Sequence, residues 1–213
     1  MYGSILPTVL DTKCSNIYRE ERSVAVAVAA DVIGSYMAGV WDFFMPPLLI
    51  FNLLKNKRTK EGFILNLLYT KKLALEAASD MVDKSLTRES ALQKAEEVTG
   101  NVLSADSKGI YSDKVRQKQL SEISLLTGHY HRLIISAGKT YAEMLKDAYP
   151  DRAGYLEFVS KLNQAEKDVN HAALVTVGRN DNARQFVEKM EKSVQKIRQL
   201  DADKYFPWDS PAK

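Results

Sequence analysis

The histidines are the residues whose types and spacing come nearest to a metal site. Asp168 and His171 are three positions apart, so on a helix they share one face and resemble half of a carboxylate-bridged metal site. Such sites in helical bundles need several glutamates and a second Glu-x-x-His, which this sequence lacks. His129 and His131, two positions apart on a predicted helix, point about 200° apart and cannot bind one ion together. We therefore predict no metal site and interpret the histidines as surface or capping residues.

A second candidate for chemistry is the AGKT segment at residues 137–140, which resembles the end of a phosphate-binding loop. The full motif requires a preceding strand and a glycine five positions before Gly138, where this chain has Leu133. Lys139 and Thr140 are also predicted to lie inside a helix. This interpretation is rejected.

The single cysteine, Cys14, excludes an internal disulfide and fits a reducing compartment. Lys13 could lower the pKa of the thiol slightly, but no histidine is near in sequence to act as a base. We predict no catalytic residue and no cofactor. An enzyme or metal carrier using Asp168 and His171 is the least favoured alternative.

The composition is that of an ordinary folded protein: 213 residues, 45% hydrophobic, 27% charged and a net charge of +3. Acidic and basic residues are mixed along the chain, which argues against a dedicated nucleic-acid binder. The N-terminal residues lack the pattern of a secretory signal.

One apolar segment, Val24–Leu54, dominates the sequence, and its only formal charges are Asp31 and Asp42. A segment of this length must be covered by a helical bundle or by lipid. We predict a helical hairpin that is broken at two prolines, because proline disfavours helix before it. Small residues that recur every four positions would let another backbone pack closely. These helix-packing residues are Ala30, Gly34 and Ala38.

The two carboxylates in this segment have two interpretations. Asp42 would cap the turn before Pro46 or meet a basic side chain, as polar residues at helix ends commonly do. The alternative is a polar site within a core or membrane cavity.

A basic cluster follows the apolar segment directly, as at the cytoplasmic face of a membrane, and Trp41 would lie near the interface. An embedded or re-entrant anchor fits better than a straight span, because Asp42 and the prolines interrupt the helix. The predicted membrane- or partner-contacting residues are Trp41, Phe43, Phe44, Pro46, Pro47, Leu49, Phe51, Lys55, Lys57, Arg58 and Lys60.

The rest of the chain has the 3.6-residue periodicity of amphipathic helices. We predict a helix over Glu61–Lys84, an N-cap at Thr87, one long helix over Asp113–Ala148, an N-cap at Asp151 and a helix end at Gly178. The last helix has a 4-3-4-3 spacing of apolar residues, and the aromatic tail after it is expected to dock. The predicted fold is therefore all-α: a multi-helix bundle with an apolar N-terminal hairpin. Residues 1–60 form the hairpin and residues 61–213 the bundle, or the chain is one continuous domain.

Two blocks of sequence suggest a relationship: Trp41-Asp-Phe-Phe-Met-Pro46 running on to Phe51, and Tyr69-Thr-Lys-Lys-Leu-Ala-Leu-Glu-Ala-Ala78. They resemble the N-terminal half of a family of uncharacterised helical bacterial proteins, over about residues 35–100. The resemblance implies a bacterial cytoplasmic setting and brings no activity, ligand or site residue.

The leading hypothesis is a non-enzymatic helical accessory protein attached to the cytoplasmic membrane face or to a membrane complex. It would be cytoplasmic, peripheral or monotopic at the inner membrane, with a protein partner or self-association. The second hypothesis is a soluble helical scaffold or oligomer whose core is the apolar hairpin.

Overall fold

The structure is a computed structural model that describes residues 8–33, 60–107, 109, 111–178 and 181–208. These residues form seven helices and no strand, which confirms the predicted all-α bundle. In chain order the helices are α1 (Val9–Ile33), α2 (Lys60–Asp83), α3 (Arg88–Ala105), α4 (Asp113–Ile135), α5 (Tyr141–Ala148), α6 (Arg152–Val177) and α7 (Asp181–Tyr205).

Helix α4 is the centre of the bundle and packs against α1, α2, α3, α5 and α6. Apolar side chains recur on α4 at steps of three and four, so they form one stripe facing its neighbours. Ile123, Leu126, Tyr130 and Leu133 on this stripe are completely buried. They share the main core with residues of α1, α2, α5, α6 and α7.

A second apolar cluster joins α1, α2 and α7. The rings of Phe63 and Phe186 meet edge to face there, with centroids 5.9 Å apart. The inward-facing residues of 24–33, the described start of the predicted apolar segment, are therefore covered by helices of this same chain, whereas Ala27, Ala30 and Asp31 are exposed. Residues 34–54 lie outside the described part. The buried members of the cluster are Ala25, Val28, Ala29, Val32, Phe63, Ile64, Leu68, Phe186 and Met190.

The small-residue stripe on α1 differs from the prediction. Ala30 is exposed, whereas Ala25 and Ala29 are buried against α2 and α7. The packing stripe of this part of α1 therefore runs through Ala25 and Ala29, one helical turn apart. Gly34 and Ala38 lie outside the described residues.

The helix ends follow from local capping chemistry. Thr87 and Asp151 are N-caps whose side chains accept hydrogen bonds from the backbone N–H groups of Ser90 and Gly154. Both caps confirm the prediction. Gly178 ends α6 with a φ of 82°, a conformation that glycine adopts without strain.

The predicted single helix over Asp113–Ala148 is wrong, because residues 136–140 separate α4 from α5. Gly138 is required there: an added Cβ would overlap backbone atoms of Glu143 and Met144. Thr140 forms a capping box with Glu143, which starts α5. The AGKT segment is therefore a helix-capping loop.

The aromatic tail docks on α6, as predicted. Phe206 stacks on Tyr155 with ring centroids 5.3 Å apart, and the Arg152 guanidinium lies 4.3 Å from the ring centroid of Trp208. Arg152 Nη1 also donates a hydrogen bond of 2.7 Å to the carbonyl of Phe206. Within the described ranges, none of the helices has the length and apolar character needed to cross a membrane.

Candidate ligand cavity

A cavity of about 140 Å³ lies between α1, α2, α4, α6 and α7. Its apolar wall comes from α1, α2 and α7, and its polar wall comes mainly from α2, α4, α6 and α7. The apolar residues include Val24, Val28, Phe63, Leu67, Met190 and Val194. The polar residues include Thr70, Lys71, Gln119, Glu122, Asn163, Glu166 and Arg198.

Helical periodicity places these polar residues inside the bundle. One stripe of α2 lines the cavity. It begins with the apolar residues Phe63 and Leu67 and continues into the polar residues Thr70 and Lys71. On α7, Arg198 follows Met190 and Val194 at steps of four. Arg198 thus occupies a buried position on this stripe of α7, which continues to the buried Ala202.

A buried ion network connects three of these helices. Glu166 Oε1 accepts hydrogen bonds from Lys71 Nζ at 3.1 Å and from Arg198 Nη2 at 2.7 Å, and Arg198 Nη1 donates to Oε2 at 2.7 Å. Arg198 Nη1 also donates to Asn163 Oδ1. The side chains of Lys71 and Arg198 are each 8% exposed, so solvent screens this network little.

The network fixes the charge of each member. Burial alone would raise the pKa of Glu166, but the charges of Arg198 and Lys71 outweigh burial and lower it to about 2. Burial opposes the charge of Lys71 and of Arg198, yet Glu166 more than compensates and the pKa of each cation is raised. One carboxylate therefore holds two buried cations.

Glu122 is a second carboxyl group in the cavity, with a different environment. It is 4% exposed, and burial raises its pKa to about 7 although the Lys71 charge acts in the opposite direction. Thr70 Oγ1 donates a hydrogen bond of 2.7 Å to Glu122 Oε1. Within the described part of the chain, Oε2 has no hydrogen-bond partner. Glu122 is therefore the lining group that changes protonation near neutral pH.

Two further hydrogen-bonded pairs complete the polar wall, one buried and one partly exposed. The buried hydroxyl of Tyr111 donates to Gln119 Oε1 at 2.6 Å. Asn170 Nδ2 donates to Glu191 Oε1 at 3.1 Å, which links α6 to α7 at the partly exposed edge of the cavity. Amide and carboxylate side chains at this edge leave polar groups available to a bound molecule.

Most of the predicted contact residues cannot be compared with this cavity. Ten of them, and Asp42, lie outside the described residues. The ten are Trp41, Phe43, Phe44, Pro46, Pro47, Leu49, Phe51, Lys55, Lys57 and Arg58. Lys60 is exposed at the first position of α2, and Asp31 is exposed near the end of α1.

The histidines do not form a site. His129, predicted to be a surface or capping residue, is instead buried: it stacks on Phe158 with centroids 4.0 Å apart, and its Nδ1 lies 2.8 Å from the Tyr149 hydroxyl. That prediction is wrong because His129 falls on the inward face of α4. His171 is exposed, and Asp168 pairs with Lys118 at 2.8 Å.

Metal and thiol chemistry gain no support. Among the described residues, no cluster of three or more His, Cys, Asp or Glu side chains could hold a metal ion. Burial raises the pKa of Cys14. Lys13 does not activate that thiol, because its ammonium donates to the carbonyls of Ile134 and Ser136 at the end of α4.

Comparisons of the chain with protein-family models, with curated proteins and with solved structures gave no match. The resemblance of residues 35–100 to uncharacterised helical bacterial proteins is untested by them and stays a prediction.

Proposed function

We propose that the chain is a non-enzymatic helical binding protein that holds a small molecule in the cavity between α1, α2, α4, α6 and α7. The observation that carries this proposal is a set of buried ionisable side chains that line a cavity in the bundle. A cavity and a buried ion network both cost stability compared with a close-packed apolar core. Ligand binding gives a reason for both.

The size of the cavity also supports binding. An apolar cavity of roughly 150 Å³ in another protein binds benzene, and this cavity measures about 140 Å³. Its apolar wall can therefore cover a group of about that size. The polar wall would then fix the orientation of a molecule that also has a polar end.

Benzyl alcohol, a neutral molecule of suitable size, is expected to bind here. Titration followed by methyl NMR should shift the signals of Val28, Leu67 and Met190, which line the cavity, and leave those of Leu126 and Leu133 in the main core unchanged. Absence of any shift at millimolar benzyl alcohol would contradict the proposal.

Two variants localise the binding. Val28→Phe fills the cavity and should abolish the shifts, provided that circular dichroism shows an intact helical fold. Leu200→Phe adds a ring at an exposed position of α7, 57% exposed, and should leave the shifts unchanged. Equal shifts in both variants would place benzyl alcohol elsewhere.

A second proposed function is attachment to the cytoplasmic membrane face, or to a partner there, through the apolar segment and its basic flank. Helices α1 and α2 are antiparallel, since Cys14 lies beside Ser79 while Val32 shares a cluster with Phe63. Ile33 at the end of α1 and Lys60 at the start of α2 therefore lie at the same end of the bundle.

Sedimentation with phosphatidylserine-containing vesicles tests this attachment. We expect the chain to sediment with the vesicles, and replacement of Lys55, Lys57, Arg58 and Lys60 by Gln to weaken binding, at about 1 kcal/mol per basic residue. A chain that stays in the supernatant without detergent would favour the alternative of a soluble scaffold or oligomer. The matched control replaces four exposed lysines elsewhere: Lys146, Lys161, Lys192 and Lys196.

A further inference from the structure

We propose that the ligand of the cavity is a small amphipathic carboxylic acid, with its carboxylate against Lys71 and Glu122 and its apolar part against Val28, Phe63 and Met190. This inference rests on the proposed function of ligand binding and adds the chemical class of the ligand.

Lys71 supplies the first reason. Its ammonium has three N–H donors, and among the described residues it has one acceptor, Glu166 Oε1 at 3.1 Å. Glu166 is shared with Arg198, which occupies both carboxylate oxygens. Buried donors require acceptors, so the remaining N–H groups of Lys71 call for an acceptor in the cavity. A carboxylate is the strongest common acceptor for an ammonium.

Glu122 supplies the second reason. Thr70 donates to its Oε1, so a protonated Glu122 carries its proton on Oε2 and can donate it to a ligand. A ligand carboxylate nearby would raise the pKa of Glu122 further, because two adjacent negative charges repel. Binding therefore takes up a proton from solvent onto Glu122, and the pair shares one negative charge.

The charge of the lining supplies the third reason. With Glu122 neutral, the lining itself carries three cations (Lys71, Lys167 and Arg198) and two anions (Glu166 and Glu191), while Glu21 of α1 acts on Lys71 and Arg198 from outside the lining. The excess of one positive charge matches a monoanion. An amine would instead add a positive charge beside Lys71 and Arg198.

The apolar wall sets the size of the rest of the ligand. Val28 and Phe63 are buried at 1% and 4% exposure, and Met190 of α7 lies on the same wall. A volume comparable to one that holds benzene leaves room for about six to eight carbon atoms. An aryl acid or a short-chain fatty acid meets this limit.

Calorimetric titration with benzoate, benzamide and benzylamine at pH 7 tests the inference, because the three probes share a ring and differ in charge. Benzoate is expected to bind at least tenfold more tightly than benzamide and more tightly still than benzylamine. Titrations in buffers of different ionisation enthalpy should show proton uptake with benzoate alone.

Two variants assign the contacts. Lys71→Met should weaken benzoate binding at least tenfold and benzamide binding less than threefold. The fold should survive, because Glu166 keeps Arg198 as its partner. Thermal unfolding of the variant checks this. Lys72→Met, on the exposed side of α2, should change neither affinity.

The pH dependence gives an independent readout. Benzoate affinity should fall as pH rises above 7, and Glu122→Gln should flatten this dependence. The charged groups facing Glu122 are Lys71 of α2, Glu166 of α6 and Arg198 of α7. Glu21 of α1 acts on Lys71 and Arg198, and Glu122→Gln leaves it and the other three in place.

Each negative result has a separate meaning. Benzamide or benzylamine binding as tightly as benzoate would overturn the carboxylate assignment and leave the proposed binding function standing. Benzoate binding that is insensitive to Lys71→Met would overturn the assigned contact. No binding of any of the three, together with no response to benzyl alcohol, would overturn both the ligand class and the binding function.

Discussion

Replacing Glu166 by Gln is expected to lower the free energy of unfolding by about 3–5 kcal/mol. The amide keeps the shape of the side chain but removes the negative charge that Lys71 and Arg198 share. Lys71 and Arg198 would then lose the carboxylate that pairs with both of them, and leaving a buried charge without its partner is one of the most destabilising single changes. Urea unfolding followed by circular dichroism measures the difference.

Glu157→Gln is the matched control. Glu157 lies on the same helix, α6, and pairs with Lys161 at 2.6 Å, but its side chain is 69% exposed. Exposed pairs contribute about 0–1 kcal/mol, so this variant should unfold almost like the parent chain. Similar losses in the two variants would mean that the Glu166 network is solvated, which would contradict its burial.

The double variant Glu166→Gln, Lys71→Met tests the cause. If charge repulsion dominates the loss, removing one cation should recover part of the stability. No recovery would assign the loss to the hydrogen bonds of Glu166 with Arg198. The two single variants and the double variant form a cycle whose coupling energy isolates the pair.

Much of the fold was predictable because it depends on local signals. The apolar stripe of α4 through Ile123 and Leu126 follows from helical periodicity alone. The caps at Thr87 and Asp151 follow from side chains that accept backbone N–H groups. These interactions are made within a few residues along the chain, so a single sequence contains them.

The break between α4 and α5 was missed because its causes are only partly local. Alanine, glycine and threonine at residues 137–140 do not interrupt the helical period strongly. One of these causes is Lys13 of α1, whose ammonium donates hydrogen bonds to the carbonyls of Ile134 and Ser136 at the end of α4. A contact between residues over a hundred positions apart leaves no trace in the local pattern. Gly138 followed by the Thr140–Glu143 capping pair was the available signal.

The cavity was missed for a different reason. Lys71, Glu122, Glu166 and Arg198 are charged, and charged residues in an amphipathic helix are normally assigned to the solvent side. Their positions nevertheless fall on the core stripes, as Arg198 does four residues after Val194. Charged residues at stripe positions on four different helices were the signal, and only the packing of those helices brings them together.

The stability of the chain is expected to fall steeply below about pH 4.5, with His129 as a main cause. Burial lowers the pKa of His129 to about 3, and Arg132 and Arg198 contribute in the same direction. An unfolded histidine has a pKa of about 6.5. Between these values the unfolded chain binds a proton that the native chain does not, so the native state is favoured less as pH falls. The contribution is fully present above pH 6.5 and is lost progressively towards pH 3, at up to about 1.4 kcal/mol per pH unit.

Other buried groups titrate in the same range and set the rest of the curve. Glu166, whose native pKa is about 2, adds a loss of stability as pH falls below its unfolded value of 4.5. Glu122 acts in the opposite direction: its native pKa is about 7, so its burial becomes less costly as pH falls from 7 to 4.5. Between pH 6.5 and 4.5, His129 and Glu122 therefore make opposing contributions to the free energy of unfolding.

His129→Asn separates these contributions, because asparagine can still bond to the Tyr149 hydroxyl but does not titrate. The variant should be less stable at pH 7, since it loses the stacking on Phe158, and its stability should fall less between pH 6.5 and 4.5 than that of the parent chain. Because Glu122 then dominates that interval, the stability of the variant is expected to rise there as pH falls. His171→Asn, at an exposed position of α6, is the matched control and should keep the parent curve. Urea unfolding at intervals of about half a pH unit measures the free energy of unfolding of both variants. If its dependence on pH is unchanged in His129→Asn, the imidazole is already solvated or charged in the native chain.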